Sequence, residues 1–261
     1  MINISQSFLK EFAEYKSGNT CGLQVKAKYI DGVKFPSSDA MEYGNAFEYL
    51  ATGSIPRDGH IPQIEKVYKG TARECISTQY QKIIESAELF KKIIKHYEID
   101  IVDTGRVVTQ DGMTGIMDIV ANWNLRVCII DTKYSGLLDD KWSEFGWNLD
   151  MLPEKHNLLL QAVQYKILLS KELECEPEDI DFYFFVFSSK DVMDVKLIKV
   201  NVDELTIANH LSTVEFVKNE LQKPIDKLFK AKPSLKLCFE CPINDKCSFK
   251  IEIPYIDEIT Y

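Results

Sequence analysis

Three side chains carry the most directly readable chemistry: Asp118, Asp131 and Lys133. Two apolar runs, 116–121 and 127–130, lie on either side of Asn122-Trp123-Asn124-Leu125-Arg126. Neither run alternates cleanly, so both read as strands covered on both faces. Charges placed in such strands need partners or a metal. A hairpin centred on Asn124-Leu125 sets Asp118 opposite Asp131, and directly opposed residues have Cβ atoms about 4.5–5.5 Å apart. A hard divalent cation would turn that repulsion into a binding site, because such ions prefer carboxylate oxygens. Lys133, two residues beyond Asp131, points to the same sheet face. Two carboxylates and an amine on one spot suit metal-assisted hydrolysis of a phosphodiester. A strand-end ion pair between Lys133 and a carboxylate is the plainer alternative.

The surrounding elements must hold that hairpin. Residues 5–15 read as a short amphipathic helix with Phe8, Leu9 and Phe12 as its apolar stripe and Ser5 or Ser7 as cap. A turn carrying Cys21 follows, then a polar loop through Asp31-Gly32 and Pro36-Ser37-Ser38-Asp39. Ser38 or Asp39 caps a helix over 41–52 that ends at Gly53. Residues 54–76 read as a loop or small excursion, 77–96 as a long helix, and 101–109 and 113–122 as strands joined at Asp111-Gly112. Residues 137–153, with Trp142, Phe145 and Trp147, read as packed aromatics or a substrate lip. A helix over 154–170 places Gln161 and Tyr165 on one face. Strands over 182–188 and 192–200 and a helix over 202–221 complete the pattern.

The chain has 261 residues, 45% apolar and 27% charged, an ordinary globular balance that can bury a substantial core. No run approaches the roughly 18 apolar residues of a membrane span. The start lacks a basic segment followed by an apolar core, so the expected location is intracellular, with no membrane partner. The net charge of −9 is awkward for a polyanion binder. A lysine run at Lys223, Lys227, Lys230, Lys232 and Lys236 nevertheless faces only Asp226 nearby; it reads equally as a solvated helix face or a nucleic-acid track.

Seven cysteines in an intracellular chain argue for metal or reduced thiols before disulfides. Cys238, Cys241 and Cys247 form C-x2-C-x5-C, a spacing that lets one turn present two sulfurs to one ion or cluster. Cys21 is the natural fourth ligand: Cys128 lies mid-strand, and Cys75 and Cys175 lack ligand spacing. Iron-sulfur, structural zinc and free thiols are the three readings.

Asp118 followed by Asp131-Thr132-Lys133 resembles the PD-(D/E)XK nuclease signature, without the family's proline, since Met117 precedes Asp118. The resemblance implies that both acids and the Thr132 carbonyl hold the metal while Lys133 orients or activates water. In RecB-type members a G-x-x-x-H helix brings a histidine to the metal. Gly44 and Glu48 match that spacing with glutamate in the histidine's place, making Glu48 a further oxygen ligand or else an exposed helix acid. Gln161 and Tyr165 match Q-x-x-x-Y, whose residues lie near the active site and DNA. A lone upstream cysteine with a C-terminal C-x2-C-x5-C is similar to the iron-sulfur branch of the RecB-like group, the AddB-type and CRISPR-adaptation nucleases.

The fold so implied is α/β: a restriction-endonuclease-like core, a central mixed β-sheet flanked by helices over 37–222, with a small iron-sulfur lobe from both chain ends, 1–36 and 223–261. The implied function is a Mg²⁺- or Mn²⁺-dependent DNA nuclease, most readily an exonuclease in repair or recombination, with a structural 4Fe-4S cluster or, alternatively, zinc. Its expected partners are DNA, single-stranded or with free ends, and either a homo-oligomer or a recombination or repair protein. Lys223, Lys227 and Lys230 are its candidate DNA contacts. The alternatives are a silent nucleic-acid-binding or assembly module of the same fold and, more weakly, a redox-responsive iron-sulfur factor.

Overall fold

The computed structural model describes residues 2–56, 59–69, 73–136, 138–139, 142 and 153–251. In chain order they form β1 (Ile4–Ser5), α1 (Gln6–Ser17), α2 (Gly22–Tyr29), α3 (Asp39–Thr52), β2 (Lys66–Lys69), β3 (Arg73–Ile76) and α4 (Thr78–His96). Then follow β4 (Asp100–Gln110), β5 (Met113–Trp123), β6 (Arg126–Ser135), α5 (Pro153–Leu173), β7 (Asp181–Ser188), β8 (Val195–Lys199), α6 (Glu204–Leu221), α7 (Ile225–Leu228) and α8 (Leu235–Phe239). The chain divides into two compact units, 37–210 and 1–36 with 211–261.

In the first unit five strands are bonded in the order β4-β5-β6-β7-β8. β4, β5 and β6 form an antiparallel meander, β7 runs parallel to β6 after the α5 crossover, and β8 returns antiparallel. The sheet is therefore mixed. Its β5–β6 hairpin turns at Asn124 and Leu125, both at positive φ (51° and 62°), the two-residue geometry that matches strand twist. The register is the one read from the sequence, running from Trp123↔Arg126 to Ile119↔Ile130.

Helices cover both faces. On one, Phe47 of α3 and Phe90 of α4 pack with Ile119, Cys128, Ile130, Phe185 and Phe187. On the other, Tyr165 of α5 meets Phe182, and Trp142 meets Phe184 edge-on at 5.4 Å. All eight residues of β7 are buried, which removes the alternation a one-sided strand would show. Ser38 and Ser77 cap α3 and α4, and Gly53, at φ 81°, ends α3. Trp142 is a packed aromatic; Phe145 and Trp147 lie outside the described residues.

The second unit joins the chain ends through aromatics. Phe12 of α1 meets Phe229 edge-on and Tyr15 meets it tilted, and Tyr15 Oη donates to the Leu228 carbonyl (2.6 Å) and accepts from the Lys230 amide (3.2 Å). Lys16 pairs with Glu220. Two expectations need correction. Residues 22–29, read as loop, form helix α2, whose Val25 and Ala27 are buried; Gly22 at its start and Lys26 and Lys28 within it blurred its short apolar stripe. Residues 54–76 contain the hairpin β2–β3.

Candidate active site and cysteine cavity

β6 carries Asp131 and Lys133 on the α5 side of the sheet, because its even residues Cys128 and Ile130 face α3 and α4. Asp131 is fully buried. Its Oδ1 accepts from Gln161 Nε2 of α5, and its Oδ2 lies in an ion pair with Lys133 Nζ. Lys133 Nζ also sits 5.7 Å from the Phe184 ring centre.

One register step beyond Ile119↔Ile130 the ladder stops. There Asp118 Oδ2 accepts two bonds from Thr132, from its amide (2.8 Å) and its hydroxyl (3.1 Å). A carboxylate so held is fixed in orientation. The sequence assigned Thr132 only a carbonyl role; its hydroxyl went unread, although a threonine set between two charged residues in a buried strand is the signal that marks it.

α5 approaches this end of the sheet closely because Gly115 has no side chain. A Cβ there would lie 2.9 Å from both Tyr165 and Leu168. Gln164 Nε2 adds a 2.8 Å bond to the Thr114 carbonyl. Gln161 and Tyr165 are thus delivered together, as their four-residue spacing requires.

The electrostatics follow from burial. Desolvation pushes Asp131 up to about 7, with Asp118 adding to the shift and Lys133 opposing it. Burial alone would lower Lys133, but Asp131 and Asp118 outweigh it and hold the ammonium above its ordinary value. Burial, then Asp131 and Asp118, push Tyr165 up to about 12, so its hydroxyl stays a donor. The site sets two carboxyl groups beside one ammonium. Its donors are hard oxygens, and Asp131 Oδ2 is a buried one met by the Lys133 ammonium. That donor set fits Mg²⁺ or Mn²⁺. Glu48 lies on α3, partly buried. Among the described residues no three or more His, Cys, Asp or Glu side chains stand together at metal-holding spacing, so Glu48 is not gathered with Asp118 and Asp131.

In the other unit Cys21, Cys238, Cys241 and Cys247 line one cavity, with Leu23, Leu237 and Ile243 among its walls. Ser234 caps α8, and Cys241, Asn244 and Cys247 each donate their amide three residues back, winding the three cysteines around one spot. Cys21 reaches it because Gly22 lets residue 230 pass: a Cβ on Gly22 would lie 2.5 Å from the Lys230 carbonyl. The Lys232 amide donates to Cys21 Sγ at 3.3 Å. All four thiols are free, and soft thiols are the donor type of an iron-sulfur cluster or zinc, but no three of these cysteines stand at metal-holding spacing. Of the candidate DNA contacts, Lys227 and Lys230 are exposed, while Lys223 is tied to Glu220.

No family model matches the chain, and no curated protein matches it. Among solved structures it is similar to a protein from Eubacterium rectale, named provisionally as an exonuclease, at a TM-score of 0.61 and 14% identity, covering 98% of this chain and 90% of the other. The two share a fold. A second match, LHK-Exo in complex with dAMP, has a TM-score of 0.48 and 12% identity over 87% of this chain and 91% of that one, too loose to carry an argument. Among the described residues no helix is long and apolar enough to cross a membrane.

Proposed function

We propose that this protein is a divalent-metal-dependent DNA nuclease, and within that class an exonuclease. One observation supports the reading above the others. Asp118 and Asp131, a lysine and a helix-borne glutamine converge at the end of two paired strands, on a fold shared with a protein named as an exonuclease. Asp118, Asp131 and the Thr132 carbonyl would hold Mg²⁺ or Mn²⁺. Such an ion supplies charge stabilisation at phosphorus and acidifies bound water.

The chain's own residues do the rest. Thr132 fixes the Asp118 carboxylate through its amide and hydroxyl. Gln161 fixes Asp131, and the buried setting excludes competing water. Lys133, ion-paired with Asp131, is placed to orient or activate the attacking water and to counter charge on the phosphate. Tyr165 stays protonated and can donate. In the other unit the four cysteines would hold a 4Fe-4S cluster whose role is to tie the chain ends, with zinc as the alternative. Lys227 and Lys230 are proposed backbone contacts for DNA.

The test is degradation of end-labelled single- and double-stranded DNA by anaerobically purified protein. Cleavage that needs Mg²⁺ or Mn²⁺ and disappears in Lys133→Ala is the expected result. Activity retained in purified Asp131→Ala or Lys133→Ala would overturn the assignment, and folded wild-type protein without cleavage would favour a silent binding module. Iron and acid-labile sulfide content separates the cluster from zinc.

A further inference from the structure

The unit 1–36 with 211–261 has a surface that the nuclease reading does not explain. Phe239 is 86% exposed, next in sequence to the buried Cys238. Leu235, one helical turn earlier on α8, is 41% exposed, and Phe249 is 56% exposed. Residues four apart share a helix face, so Leu235 and Phe239 present one apolar strip outward while Leu237 and Cys238 turn into the cysteine cavity. Single exposed apolar side chains are ordinary, but an almost bare phenylalanine in an apolar strip is informative.

The charge around it is as telling. Residues 223–250 hold seven lysines against three acids, in a chain whose net charge is −9. Lys236, three residues from Phe239 on α8, and Lys246 are both exposed. Lysine is depleted from protein–protein contacts, which argues against a protein partner for this strip. A flat ring with Lys236 one helical turn away, in a segment whose lysines outnumber its acids, suits bases that stack while their phosphates meet the cations. Only an unpaired strand offers free base faces, so the surface favours single strands over duplex.

We propose that this surface binds single-stranded nucleic acid, with Phe239 as a stacking platform and Lys236 and Lys246 as phosphate contacts. The inference deepens the nuclease reading and rests on it only for the choice of DNA as ligand.

The experiment measures binding of full-length protein to a fluorescent oligo-dT and to a duplex of equal length, in EDTA so that no cleavage intervenes. Phe239→Ala is expected to weaken oligo-dT binding about 5- to 100-fold, the worth of one stacked base, and duplex binding less than about twofold. Phe239→Trp should bind like wild type. Phe239→Leu, which keeps the surface apolar but removes the ring, should behave like alanine. Lys236→Ala with Lys246→Ala should weaken binding and make it less steep in salt. Unchanged oligo-dT affinity in Phe239→Ala and Phe239→Leu would overturn the proposal, as would equal losses on both ligands. Metal-dependent cleavage by wild type alongside unchanged Phe239 variants would sink this contact and leave the nuclease standing. Absence of cleavage alongside a selective Phe239 loss would do the reverse.

Discussion

The two units hold their polar groups by opposite means. In 37–210 a buried carboxylate is tolerated because strand β6 brings it an ammonium and the covering helix α5 an amide. Around the cysteines the elements are short, α7 of four residues and α8 of five, and the thiols are set by tight turns and one glycine contact. A helix of five residues has too few internal bonds to stand alone. The core therefore positions its chemistry by packing, whereas under the proposed reading the cysteine unit would gain order from a metal or cluster held by its four sulfurs. The difference predicts where each kind of damage will show.

The largest effect should fall on chemistry alone. Asp131→Ala or Lys133→Ala is expected to cut kcat on labelled DNA by about 10³-fold or more, with the circular dichroism spectrum unchanged. Next, Cys238→Ser should lose iron (or zinc) on purification and open 1–36 and 211–261 to limited proteolysis, while the sheet of 37–210 stays protected; equal proteolysis of both units would break the contrast. The two close-approach glycines give a matched pair. Gly115→Ala should destabilise by about 1–3 kcal/mol and lower kcat by displacing Gln161, whereas Gly22→Ala should cost a similar amount and lower metal content instead.

A fourth prediction uses acid. His210 is 2% exposed with neither ring nitrogen hydrogen-bonded, and burial lowers it from 6.5 to about 4. The unfolded chain then binds the proton more readily than the fold. Stability is full above pH 6.5 and falls as pH drops towards 4, by up to about 3 kcal/mol. Denaturant midpoints against pH should show this loss, and His210→Leu should flatten it. The smallest effect is a gain: Leu125, fully exposed at φ 62°, should give about 1 kcal/mol on replacement by glycine, read as a raised midpoint.

Much of the core was legible because its signals are local. The β5–β6 register followed from two apolar runs and a two-residue break, and Ser38 and Gly53 marked the ends of α3 through side-chain and backbone preferences that act within one turn. Helix α2 escaped because eight residues with a weak stripe look like a loop until tertiary contacts bury Val25 and Ala27. The site was legible in part. Spacing alone joined Asp131 to Lys133 and Gln161 to Tyr165, since residues two apart on a strand or four apart on a helix share a face.

Contacts between segments far apart in sequence could come only from the folded chain. Nothing local announces that Gln161 reaches Asp131, that Gly115 makes room for Tyr165, or that Thr132 rather than Asp131 meets the Asp118 carboxylate. Nor does composition announce that a chain of net charge −9 leaves Phe239 bare on a short helix that also carries Lys236. Periodicity and turn chemistry are encoded by neighbours along the chain, and they set which elements form. Burial and pairing are set by which elements meet, and those decide which charges are buried and which ring is left in water.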